Sequence, residues 1–149
     1  MSKQQDGFTL IELIVVIVML GVLAAVALPR FVNLGSDARV ATIKGLAASL
    51  RSASSIAHAA YVAAGSPSTN SIVMEGKTID LEFGYPKSFG WGIVDAAGVS
   101  NDDFDITDAN DITTFKAKGA ADAATCQVVY TAAKDANTPP TIVTTVSGC

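Results

Sequence analysis

Two hydrophobic patterns of different kind follow one another along the chain. From Phe8 to Leu28 nearly every position is apolar, and Glu12 is the one charged residue among them. After Pro29, apolar and polar positions recur with a helical period. As a helix the first run is about 32 Å long, close to the hydrocarbon thickness of a bilayer. Its Ile, Val and Leu side chains insert readily into lipid. In the second run Val40, Ile43, Ala47, Leu50, Ser54, Ala57 and Tyr61 fall at spacings of three and four, and Leu46 widens the stripe. Arg39, Lys44 and Arg51 lie off it. Gly65-Ser66-Pro67 ends the helix near Ala64, and Gly35-Ser36 offers a bend. Taken from Phe8 to Ala64, this helix is about 85 Å long. Its first half suits a membrane or a bundle of sister helices, and its second half suits the face of a sheet.

Beyond Ala64 the period shortens to two. Ser71–Glu75 and Thr78–Phe83 predict two strands, with Gly76-Lys77 as the hairpin turn. In the second strand Ile79, Leu81 and Phe83 alternate with Asp80 and Glu82. "FGYPKSFGWGI" is rich in glycine and aromatics and reads as a structured loop. Its Trp91 has two readings, a core anchor first and a platform for a sugar second. Residues 125–131 and 141–146 are β-rich, and the breakers in "AAKDANTPP" separate them. Two strands so joined are antiparallel, with Cys126 and Cys149 near one end. "NDDFDITDAND" carries Asp102, Asp103, Asp105, Asp108 and Asp111 and reads first as a solvated acidic loop. Calcium, which takes oxygen ligands, is the second reading. The EF-hand spacing fails, for want of a glycine at the sixth place and a glutamate at the twelfth. The elements sum to class α+β, a long N-terminal helix packed on an antiparallel β-sheet.

Charge and cysteine usage narrow the functions open to this fold. The chain has 149 residues and a net charge of −4. Binding to nucleic acid needs a basic face, so none is expected. The basic residues Arg30, Arg39, Lys44 and Arg51 gather in the stem, and the acids gather after position 75. An export-like N-terminal segment puts the rest of the chain outside the cytosol. There a cysteine pair more often forms a disulfide than a metal site. A Cys126–Cys149 bridge contributes about 3 kcal/mol by loop entropy, and two free thiols are the alternative. His58 is the single histidine and sits among alanines and serines, where packing or surface exposure outweighs base catalysis. G-x-S-x-G, H-E-x-x-H and Walker A motifs are all missing. No enzymatic activity, cofactor or metal centre is therefore expected.

The apolar run admits three readings: a transmembrane helix, a secretory signal cut after the A-x-A pattern Ala25-Val26-Ala27, or a segment preceded by a cleavage point at Gly7. The third rests on "GFTLIELIVVIVMLGVLAAVALPRF", which resembles the start of a type IV pilin. That resemblance implies a leader over residues 1–7, removed after Gly7 by a prepilin peptidase that also N-methylates Phe8. It implies a transmembrane and filament-core helix over 8–29, an amphipathic helix over 30–64, and a globular head over 65–149 closed by a C-terminal disulfide loop. Glu12 is then implied to pair with the Phe8 amine of a neighbouring subunit. A buried carboxylate is costly unless paired, and such a pair sets register between helices that otherwise slide. Gly21 and Pro29 are implied points of helix flexibility. The partners are sister subunits in a homo-oligomeric filament and the peptidase. The precursor is expected in the inner membrane and the product in an extracellular pilus.

Past the general motif, "ALPRFVNLGSDARVATIKGL", "FGYP", "DDF" and the ending "TPPTIVTTVSGC" resemble the mannose-sensitive haemagglutinin (MSHA) pilins of marine Gram-negative bacteria. That resemblance implies adhesion and surface colonisation. Residues 65–75 and 106–124 carry no recognisable signature. Pseudopilins of type II secretion share the N-terminus and are the runner-up. They typically lack the disulfide and carry a calcium loop.

Overall fold

The computed structural model describes residues 8–149, with the side chains of residues 29–33 outside that description. The chain divides into two units, Met1–Ser36 and Asp37–Cys149. Helix α1 spans Leu10–Ala63 and contributes to both. Gly35-Ser36, where the sequence offers a bend, lies at the border between them.

In the first unit the apolar stretch Leu10–Leu28 is helical, and none of it is buried inside the chain. A helix satisfies its own backbone hydrogen bonds. An apolar segment can therefore leave water without stranding polar groups. Gly21 lies within this stretch, and a side chain added there meets nothing within 4 Å. Pro29 falls inside the bounds of α1.

In the second unit the helical period does what it implies. Ile43, Leu46, Ala47, Leu50, Ala53, Ser54 and Ala57 are buried, and Val40 packs at the edge of the core. Seven strands form two sheets. Strands β1 (Ser71–Met74), β2 (Lys77–Glu82) and β3 (Tyr85–Pro86) make a three-stranded sheet in that order. Strands β4 (Phe104–Ala109), β5 (Ile112–Ala117), β6 (Gln127–Thr131) and β7 (Thr141–Thr145) make a four-stranded one, also in chain order. All pairs are antiparallel. One cluster joins α1 to Ile93, Phe104, Phe115, Ala117, Val128 and Tyr130. A smaller one joins Ala57 to Ile72, Ile79 and Leu81. A short helix α2 (Ile93–Ala96) and a 3₁₀ turn (Ala123–Thr125) complete the unit. The class is α+β, a long helix followed by antiparallel sheet.

Three sequence expectations need correcting. The β1–β2 turn is Glu75-Gly76, one residue earlier than expected, with both residues at positive φ (48° and 81°). That is the primed turn whose twist matches a two-residue hairpin. The aspartate-rich segment is not all loop: Phe104–Ala109 is strand β4, paired along its whole length with β5. Phe104 points into the core while Asp105, on the other face, lies in water. Aspartate's poor strand propensity hid an alternation that burial of the opposite face enforces. Trp91 is not a core anchor, for its side chain is largely exposed.

Candidate functional site

The first described residues carry the most unusual surface of the chain. Phe8 is 90% exposed, and Leu10, Ile11, Leu13 and the apolar residues after them are exposed as well. A contiguous apolar face of this size marks contact with lipid or with other protein. Thr9 and Glu12 build the start of α1 between them. Glu12 Oε2 accepts from Thr9 N at 3.0 Å and from Thr9 Oγ1 at 2.7 Å. Glu12 N in turn donates to Thr9 Oγ1 at 3.4 Å. This reciprocal arrangement is a capping box. Its signal, threonine three places before glutamate ahead of an apolar run, is plain in "TLIE" and adds a role that the sequence reading of Glu12 missed. Glu12 Oε1 accepts no hydrogen bond among the described residues. A shallow cleft of about 380 Å³ lies between Phe8, Ile11, Glu12, Val15 and Val16. Gly7 and the expected leader lie outside the described residues.

At the other end, Cys126 and Cys149 form a disulfide, with Cα atoms 4.8 Å apart. Both are buried. Arg39 Nε donates to the Cys149 carbonyl at 2.7 Å, which ties the closed loop to α1. Gly148 N donates to Thr125 O, and Asp122 N donates to Gly148 O. The C-terminal residues are thereby stitched to the segment that precedes β6.

Two further sequence candidates have packing or hydrogen-bond partners of their own. His58 stacks on Tyr85 with ring centroids 4.1 Å apart and shares a hydrogen bond of 3.0 Å with the Gly84 carbonyl. In the acidic segment Ser100 Oγ donates to Asp103, and Asn101 Oδ1 accepts from Ile106 N. Lys118 Nζ donates to the carbonyl oxygens of Asn101 and Asp102. An ammonium thus sits on two backbone oxygens of the kind a hard cation takes. Among the described residues no group of three or more His, Cys, Asp or Glu side chains converges to hold a metal.

Against this geometry, the comparisons place the chain's beginning. Residues 2–28 match the family described as the prokaryotic N-terminal methylation motif. The chain is similar to the type IV narrow pilus major component PilA5 of Thermus thermophilus, 55% identical over 51 residues, 34% of this chain and 44% of that one. It is similar to the type II secretion system core protein G of Pseudomonas aeruginosa, 49% identical over 43 residues, 29% of this chain and 30% of that one. It is also similar to the type IV major alpha-pilin of Moraxella bovis, 35% identical over 74 residues, 50% of this chain and 37% of that one. The matched stretch therefore spans less than half the length of each of these relatives. No solved structure matches the chain. The motif and these relatives support the type IV pilin family, and the α+β architecture is consistent with the type IV pilin fold.

Proposed function

We propose that the chain is the structural subunit of a type IV pilus of MSHA-like kind, which polymerises into a surface filament for adhesion and colonisation. The observation that carries this reading is the apolar stretch of α1, none of it buried, with one carboxylate at its start. Its apolar surface leaves water first for lipid and then for sister helices, so assembly needs no new hydrophobic driving force. The precursor sits in the inner membrane through residues 8–29. Prepilin peptidase cuts after Gly7 and methylates Phe8, and the subunit moves into an extracellular filament. Glu12 Oε1 takes the Phe8 ammonium of a neighbour, while Oε2 stays with Thr9. This pairing offsets the cost of a buried carboxylate and fixes helix register. Gly21 and Pro29 let the core helix yield under tension.

A second reading, a pseudopilin of type II secretion, is favoured by the similarity to core protein G. The disulfide and the lysine seated on the acidic segment favour the pilus. The test is the intact mass and N-terminal residue of the mature chain, unreduced, together with filament yield for Glu12→Ala. The proposal expects a chain beginning at methylated Phe8, two hydrogens light, and no filaments from the variant. A chain beginning at Leu28 means an ordinary signal peptide and sinks it, as does normal assembly of Glu12→Ala.

A further inference from the structure

Trp91 is the single tryptophan of the chain, and it is 66% exposed. Its backbone is firmly held. Asp80 N donates to Trp91 O at 2.9 Å, and Lys87 N donates to Asp80 O at 3.0 Å. Ile93, fully buried, donates its N–H to Lys87 O at 2.8 Å. At Gly92 any Cβ would lie 2.1 Å from that same Lys87 oxygen, so the loop closes this tightly only around glycine. The indole is therefore presented from a fixed backbone, the arrangement in which an anchor loses least entropy on binding. Large exposed aromatics of this kind dominate interface energetics.

The indole borders a cleft of about 410 Å³ lined with Gly76, Lys77, Thr78 and Asp80. The Lys77 ammonium is already occupied, 2.5 Å from Asp95 Oδ1. The Asp80 carboxylate has no hydrogen-bond or ion-pair partner among the described residues. What the cleft offers is an aromatic face beside an unneutralised carboxylate, a combination that receives a cation. No α1 residue lines it.

A cation of the kind such a cleft receives is carried by α1, on a different patch. From Ala38 to Ala63, α1 carries Arg39, Lys44 and Arg51 and no acid. Arg39 donates to Cys149 and Arg51 to the Ile142 carbonyl. Lys44 is exposed and has no such partner among the described residues. Its neighbours on the exposed face are Ala41, Gly45 and Ala48, and a Cβ at Gly45 meets nothing within 4 Å. A flat ring can lie against the helix there.

We propose that Trp91 and Asp80 of one subunit clamp the Lys44 ammonium of a second copy of this chain. The inference rests on the filament reading. Clamp and lysine are different patches, so the contact is heterologous, and a heterologous contact that does not close propagates as a helix of subunits. The test uses full-length chain in cells that assemble the filament, with sheared surface filament measured per cell. Trp91→Ala and Lys44→Glu each lower the yield about tenfold. Lys44→Glu combined with Asp80→Lys recovers most of the loss, and Trp91→Phe loses little. Trp91→Ala subunits in detergent keep the wild-type melting temperature, because the side chain is exposed. In the wild type, tryptophan emission shifts to the blue on assembly, as the indole leaves water. Wild-type yields from Trp91→Ala and Lys44→Glu, or emission unmoved by assembly, overturn the clamp alone. So does normal assembly of Trp91→Ala with loss of retention on a polysaccharide surface, which makes the indole a sugar platform. Absence of filaments from the wild type overturns the clamp and the filament reading together.

Discussion

Tyr130 donates its hydroxyl hydrogen to the carbonyl oxygen of Pro86 across 2.6 Å, deep inside the second unit. Tyr130 belongs to the four-stranded sheet and Pro86 to the three-stranded one, so this bond fastens sheet to sheet. Tyr130→Phe keeps the ring and leaves the Pro86 oxygen without a donor. A loss of about 1–2 kcal/mol is expected, seen as a lower urea midpoint with unchanged slope. A midpoint equal to wild type would show that the bond contributes nothing.

The same hydroxyl gives the stability an alkaline limit. Burial raises the Tyr130 pKa well above the ordinary tyrosine range, and the neighbouring Ser54 side chain lowers it by less. The folded chain therefore prefers the protonated form more than the unfolded chain does. That contribution is complete below about pH 10, the unfolded value, and is lost as pH rises through the folded one. Unfolding free energy should fall above about pH 10, and less steeply in Tyr130→Phe. Parallel slopes in the two proteins would assign the alkaline loss to other groups.

The Cys126–Cys149 bridge closes a loop with a sequence separation of 23. Replacing both cysteines by serine is expected to cost about 3 kcal/mol, measured by denaturant titration of the full chain in detergent. Dithiothreitol added to the wild type should reproduce the loss and leave the double variant unchanged.

Gly84 stands at the tip of the β2–β3 hairpin with φ at +82°. A Cβ there would come within 2.7 Å of the Tyr61 ring and 3.1 Å of His58 Nδ1. Gly84→Ala should therefore cost about 1–3 kcal/mol. It should also shift the ring resonances of His58 and Tyr85, which stack beside the tip. Unshifted rings would mean that the tip gives way without disturbing the helix.

Lys118→Ala removes the ammonium from the Asn101 and Asp102 carbonyls. Amide exchange over residues 100–106 is expected to quicken in the variant. In the wild type, added calcium should leave those exchange rates where they are, since the carbonyls are already in use. Slower exchange on calcium addition to the wild type would favour the pseudopilin reading.

The sequence by itself determined the features that depend only on neighbours along the chain. The apolar run of α1, the buried stripe from Val40 to Ala57 and the strand periods at Ile79–Leu81 and Val128–Tyr130 are local patterns, and a local pattern forms its element wherever a partner surface exists. The Thr9–Glu12 cap is local too, and the sequence reading missed it although its signal is plain in the four residues from Thr9 to Glu12. The tertiary structure decided what depends on how many partners each side chain finds. Strands β4 and β5 exist because Phe104 and Phe115 reach a core assembled by α1 and β6, which outweighs the reluctance of aspartate to be extended. Trp91 stays in water because Pro86 and Ile93, on either side of its loop, already fill the interior. Lys118 meets the acidic segment because β5 pairs antiparallel with β4, so that Ala117 lies opposite Phe104 and the next residue is carried to the loop. Packing is a three-dimensional sum over distant residues, and no window along the chain contains it.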